Sequence, residues 1–409
     1  MTLRQDADTM IKEAIAGVQP DAAVRAALEK AELPERVHLV AAGKAAWQMA
    51  ASARAVLGAR IADGVVVTKY GHSRGPLGNL AIFEAGHPVP DEHSFQATEA
   101  AIRLVRPLGA GETVLFLLSG GGSALFEKPL IPGGELQAVT NRLLAAGADI
   151  TEINTVRKRL SAVKGGRFAE LCAPARVFSV VLSDVVGDRL DMIASGPAYP
   201  DASTSEEALE IAERYALNLS PAALSCLKRE TPKALSNVET VVTGSVRQLC
   251  AGAAAAAEKL GYEPQILTDS LGCEAREAGA FLAAVARYHA GSKKSLAFLA
   301  GGETVVHLTG RGLGGRNQEL ALAAAPGLDG LRDTAVFSFG SDGTDGPTDA
   351  AGGYVDGDTL KKLAAHGISV PNVLRSNDAY HALQACGGLI VTGPTGTNVN
   401  DVSVVLVRR

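Results

Sequence analysis

The sequence predicts a two-domain α/β protein, on three observations. Its 409 residues exceed the usual size of one domain. Its cores must be aliphatic, because 47% of the chain is hydrophobic while aromatics make up only 4%. Short apolar runs end abruptly in glycine or polar residues and lead into alanine-rich helical stretches, which is the alternation of parallel β-α units.

Taken in order, the first run is RVHLVAAGK (36–44), leading into the helical AAWQMAASARAVL. Next come GVVVTKYGH (64–72), TVLFLLSGGGS (113–123), RVFSVVLSDVVGD (176–188) and VETVVTGS (238–245). The last three are SLAFLAGGET (295–304), TAVFSFGSDGTDG (334–346) and GLIVTGPTG (388–396). Residues 217–236 hold two prolines and no clear period, so the domain boundary is placed near Asn237, giving domains 1–236 and 237–409. The opening MTLRQDADTMIKEAI reads as an amphipathic helix and not as a signal peptide.

Charge narrows the partners. With 39 Lys and Arg against 44 Asp and Glu, the net charge of −5 argues against a nucleic-acid or membrane-surface ligand. No apolar stretch reaches membrane-spanning length. Five scattered cysteines without a C-x-x-C pair fit a reducing cytoplasm and no structural zinc.

In an open parallel sheet, ligands bind outside the carboxyl ends of the strands, where the glycine-rich punctuation falls. Ser119-Gly120-Gly121-Gly122-Ser123 follows an apolar strand. Successive glycines let backbone N–H groups converge on an anion, and the serines add donors. A tight turn that binds nothing is the competing reading. Lys44, one residue after Gly43, stands where the first strand gives way to a helix, a place suited to neutralising phosphate. No Walker A loop surrounds it, since position 38 is His and position 45 is Ala.

Gly310, Gly312 and Gly315 match G-x-G-x-x-G between a strand-like TVVHLT and a helix-like ELALAAA. An acidic residue closing the next strand is missing from its proper place: Asp333 precedes that strand and Asp342 comes late. The other reading of this segment is a clamp for a phosphoryl group or carboxylate built from Arg316, Asn317 and Gln318 at a helix start. Two acidic turns, Ser183–Asp188 with Asp184, and Gly340–Asp349 with Asp342 and Asp345, suit water-mediated Mg²⁺ or plain turn formation. Residues 154–167 form the most basic stretch, read either as an anion receptor or as a solvated helix face. His72 and His87 have no metal partner at i+4 and are assigned lining or capping roles.

Together these segments resemble the glycerate 2-kinase family, whose C-terminal half is the MOFRL domain. The matches run in order along nearly the whole chain. They comprise AAGKAA (41–46), TKYGH (68–72), EAGHPVPDE (84–92), LLSGGGSAL (117–125) and INTVRKRLSAVKGGR (153–167). LSDVVGD (182–188), ASGP (194–197), GGET (301–304), GGRNQE (314–319), GSDGTDGPTDAAG (340–352) and TGPTGTNVND (392–401) follow. The resemblance implies a Rossmann-like N-terminal domain with a parallel sheet, a smaller C-terminal α/β domain, and a site in the cleft between them. It implies transfer of the γ-phosphoryl group of ATP to the 2-hydroxyl of D-glycerate with Mg²⁺, and it puts the family's catalytic lysine and arginine on Lys44 and Arg316.

On that basis Lys44 and Arg316 are expected to stabilise the transferred group, while residues 119–123 with Asn317 and Asp184 hold the nucleotide. Asp184, Asp342 and Asp345 are the candidate Mg²⁺ ligands, and cations from 157–167 the candidate carboxylate partners. The partners are small molecules, with a homodimer compatible. Some relatives carry the name hydroxypyruvate reductase, so an NAD(P)H-dependent reductase using His307 or His381 is the alternative. A nucleotide sensor without turnover is a third reading.

Overall fold

The computed structural model describes residues 2–183 and 189–409. The chain divides into two units, Ala23–Thr243 and a second one combining residues up to Ala22 with Gly244–Arg409.

In the Ala23–Thr243 unit six strands run parallel in one sheet: β1 (Val37–Ala42), β2 (Ile61–Lys69), β3 (Leu80–Ala85), β4 (Thr113–Leu118), β5 (Arg176–Val181) and β6 (Val238–Val242). Their order is β3-β2-β1-β4-β5-β6, that of a doubly wound dinucleotide-type sheet. β1 and β4 are buried along their whole length, which explains why both read as unbroken aliphatic runs. Under the sheet Phe116, Phe126 and Phe168 pack ring to ring with centroids 4.9–5.7 Å apart. The helices Gly133–Ala145, Ile150–Arg159, Ser205–Arg214 and Pro221–Leu227 build a separate apolar cluster around Leu136, Val156, Leu160 and Ile211.

The second unit has β7 (Glu263–Leu271), β8 (Leu296–Gly302), β9 (Thr334–Gly340), β10 (Gly352–Asp356), β11 (Leu389–Ile390) and β12 (Asp401–Val407), in the order β11-β10-β9-β12-β8-β7. Only β7 and β8 pair in parallel; every other pairing is antiparallel. The parallel β-α pattern expected along the whole chain therefore holds for one sheet and not for the other. Central β12, absent from the expected strands, is buried at every position between β8 and β9. The expected strand over 388–396 shrinks to Leu389–Ile390 at the sheet edge.

The boundary expected near Asn237 falls one strand too early. β6 completes the edge of the first sheet, with Val238 opposite Val177, so the chain changes unit after Thr243. The N-terminal helix Leu3–Gly17 also belongs to the second unit. Its Met10, Ile11 and Ala14 are buried, and Ala14 packs against Gly252 of the helix Val246–Lys259. An amphipathic helix needs an apolar partner, and here the partner lies far along the chain.

Candidate active site

The order of the first sheet reverses between β1 and β4, so the crevice at their carboxyl ends is where such a sheet receives ligands. Beyond β1, Gly43 has φ +127°, and a Cβ there would overlap the Ser119 hydroxyl. Lys44 N–H donates to the Gly120 carbonyl at 2.8 Å and Ala45 N–H to Ser119 Oγ at 3.1 Å. Ser119 is thus buried and fastens the two loops together, which is a narrower role than the ligand donor expected of it.

Gly121, at φ +85°, comes so close to the ring of His87 and the stem of Lys44 that a Cβ would touch both. Among the described residues the Lys44 ammonium has no ion pair or hydrogen bond, and the N–H groups of Gly120, Gly121, Gly122 and Ser123 donate to nothing. Burial lowers the pKa of His87, helped by the charges of Lys44, Lys69 and His72. A neutral imidazole beside an unpaired ammonium and a row of free N–H groups makes a receptor for an anion.

The turn is braced from behind. The Ser123 carbonyl accepts from Lys164 Nζ at 2.9 Å and Arg157 Nη2 at 3.1 Å. Ser123 Oγ lies 3.2 Å from Ser195 Oγ, which in turn donates to Asn154 Oδ1 at 2.9 Å. Ala194, Ser195 and Gly196 all have left-handed φ of 52–64°, a strained run of the kind found at functional sites. Sequence reasoning did not single out Ser195 or Asn154; their only signal was the ASGP and INTVRKR matches. The basic stretch is mostly interior, since Lys158, Arg159 and Lys164 are all at least 97% buried, against the solvated-face reading. Asp184 lies outside the described residues.

In the second unit Arg316 opens the helix Arg316–Leu328. Its Nε and Nη2 grip Asp401 at 2.5 and 3.1 Å, and its Nη1 donates to Glu303 at 2.8 Å. Asp401 begins β12 opposite both Gly302 and Gly340, so the ends of β8, β9 and β12 meet at this arginine. Although burial works against the charge, the bonds to Asp401 and the field of Glu303 push the guanidinium pKa up.

Asn317 is buried: its Nδ2 donates to Asp345 at 3.3 Å and its Oδ1 accepts from Ser338 at 2.5 Å. Its amide is thus engaged inside the unit. Asp345 also has another task than holding metal. Gly315 caps the helix without a side chain, and Asp345 accepts the N–H groups of Asn317 and Gln318 at 3.1 and 2.8 Å in its place. Burial pushes its pKa up to about 6. Asp342 is half-buried beside Asp401 against Gly340, and its Oδ1 accepts the Thr344 N–H. Among the described residues no group of three or more His, Cys, Asp or Glu is arranged to hold a metal ion.

The glycine loop before Arg316 is not a dinucleotide cradle. No strand covers 304–309, and four of the loop's N–H groups are already used. Thr309 and Gly310 donate to Asn377 Oδ1, Gly312 to the Ser376 carbonyl, and Leu313 to Asp378 Oδ1. Gly310 and Gly312 are glycines because a Cβ would collide with Ser376 and Asp378. His381 does find a carboxylate, Asp378 at 2.7 Å. Among the described residues no helix is long and apolar enough to cross a membrane.

A doubly wound sheet with a glycine-rich turn and an unpaired lysine at its switch point, followed by a mixed α/β unit with a half-buried arginine at a helix start, is the architecture of an α/β enzyme. Comparison with known proteins narrows this. Residues 6–228 match the family described as "Domain of unknown function (DUF4147)", and residues 296–401 match the MOFRL family. A D-glycerate 2-kinase from Thermotoga maritima is 53% identical, covering 99% of this chain and 99% of its own. A crystal structure of glycerate kinase from Thermotoga maritima superposes with a TM-score of 0.97 at 53% identity, covering 99% of both chains. A relative from Agrobacterium vitis, 42% identical over 91% of this chain and 99% of its own, carries a hydroxypyruvate reductase name. The chain belongs to the glycerate 2-kinase family.

Proposed function

We propose that this protein transfers the γ-phosphoryl group of ATP to the 2-hydroxyl of D-glycerate, giving 2-phosphoglycerate and ADP in the cytoplasm. The observation that carries the reading is the unpaired Lys44 ammonium set against the open N–H groups of residues 120–123. Phosphoryl transfer needs positioning and charge neutralisation more than covalent catalysis, and this turn supplies both. The N–H groups hold phosphate oxygens, and Lys44 offsets the charge that develops on the transferred group. His87, kept neutral, lines the turn without adding a competing charge.

Arg316 assists through the N–H that each terminal nitrogen keeps after pairing with Glu303 and Asp401. With its two carboxylates it presents a net negative face, which suits a magnesium-bound phosphate better than a bare one. Mg²⁺, when bound with nucleotide, neutralises phosphate charge. Asp342 is the residue we assign to hold it, supported by its half-buried carboxylate, and one or two carboxylates suffice when phosphates complete the shell.

The test is ³¹P NMR of the protein with D-glycerate, ATP and Mg²⁺. The expected result is a 2-phosphoglycerate resonance, with Lys44→Ala slowing its appearance about 100-fold or more. NADH oxidation by hydroxypyruvate without a phosphoester would sink the reading, and so would ATP binding without turnover.

A further inference from the structure

Five cations stand between Arg157 and Arg167, and four have their heads committed inside the unit. Lys158 Nζ bonds Asp201 at 3.0 Å. Arg159 bonds the Thr155 carbonyl, Ser203 and Glu230. Lys164 holds the carbonyls of Ser123 and Phe126 and pairs with Glu127. Arg167 Nη1 closes the end of the preceding helix on the carbonyls of Lys158, Arg159 and Ser161.

Arg157 differs. It is half-buried, and its one hydrogen bond among the described residues is from Nη2 to the Ser123 carbonyl. Its Nε is buried with no partner among the described residues. One helical turn earlier on the same face, Asn154 is 97% buried, and its Nδ2 reaches only the Met192 sulfur at 3.7 Å. A buried amide donor without an oxygen acceptor is costly unless a ligand supplies one. Asn154 Oδ1 accepts from the Ser195 hydroxyl, and that hydroxyl lies beside the Ser123 hydroxyl. Arg157 donates to the Ser123 carbonyl, so the two side chains meet at Ser123 at the back of the turn.

We propose that Arg157 and Asn154, with the Ser123 and Ser195 hydroxyls, receive the carboxylate of the acceptor substrate and select a hydroxy acid over a neutral polyol. This rests on the acceptor being D-glycerate, as proposed above. A guanidinium with a free edge recognises a carboxylate in bidentate fashion, which the ammonium of Lys44 does not. The anion turn and Lys44 are then left to the phosphoryl group.

Titration calorimetry with D-glycerate and with its neutral analogue glyceramide, both without nucleotide, tests this on wild type, Arg157→Lys and Arg157→Met. Wild type is expected to prefer D-glycerate. Arg157→Met should weaken D-glycerate binding about tenfold or more, erase the preference for the acid and raise KM for D-glycerate well beyond any rise in KM for ATP. Arg157→Lys should fall between. If Arg157→Met lacks a wild-type circular dichroism spectrum, Asn154→Ala replaces it, with a smaller loss expected. Unaltered D-glycerate affinity overturns the proposal, as does an equal rise in both KM values, which would mean that the turn itself had loosened. A wild type that binds D-glycerate and prefers it to glyceramide, yet forms no phosphoester, refutes the kinase reading while leaving this one standing. A wild type that binds no D-glycerate refutes both.

Discussion

The ammonium of Lys164 has no solvent contact, and neither has the carboxylate of Glu127, whose oxygens lack a hydrogen bond among the described residues. Burial pulls the Lys164 pKa down to about 8 despite the attraction of Glu127. Such a pair is retained because breaking it strands a charge. Lys164→Met should therefore destabilise the protein by about 3–5 kcal/mol in urea unfolding, and the double change with Glu127→Leu should recover most of that loss. None of this could be read from the sequence, where a basic run looks the same whether its charges face water or carbonyls. Lys44 was legible for the opposite reason: a strand end followed by glycine fixes where the next side chain goes, with no long-range partner needed.

The helix Arg316–Leu328 shows what a local pattern can and cannot say. Its start was visible in GGRNQE, but its cap was not, because Asp345 comes from 28 residues away. Asp345→Ala would orphan two N–H groups, cost about 2 kcal/mol, and lower kcat by freeing the turn that presents Arg316. The effect should depend on pH. Because the folded pKa of about 6 lies above the ordinary 3.8, the folded protein holds the extra proton across that window. The wild-type advantage over Asp345→Ala should then be greatest at the acid end and shrink as pH rises through 6, which urea unfolding at several pH values will register. The preceding glycines matched a dinucleotide fingerprint for a reason unconnected with nucleotide. They allow close approach of residues 376–378, and a 68-residue separation hides that contact from any local reading.

Across the molecule, the first sheet was readable because strands buried on both faces announce themselves as aliphatic runs, and the helices between them imply parallel pairing. The second was readable only in part. Strand direction leaves no periodic trace, and β12, though as aliphatic as β4, follows a glycine- and asparagine-rich loop with no helix after it to mark a β-α unit. The N-terminal helix was recognised as a helix, but nothing local assigned it to the far half of the chain. Deleting residues 2–19 should expose the apolar surface around Ala253 and Ala256. In calorimetry this should lower the melting of the unit built on β7–β12 and spare that of Ala23–Thr243.

The position of β12 sets an order for the protein's making. A ribosome releases Ala23–Thr243 as an uninterrupted stretch, and the Thr243 hydroxyl can close on the Ala23 carbonyl at 3.4 Å as soon as that stretch has emerged. The other unit must wait. Its first helix appears at the outset, yet the central strand that joins β8 to β9 emerges only after all its neighbours. During translation the unit bearing Lys44 is therefore free to form early, while the one bearing Arg316 stays incomplete, its earliest helix without a surface to cover.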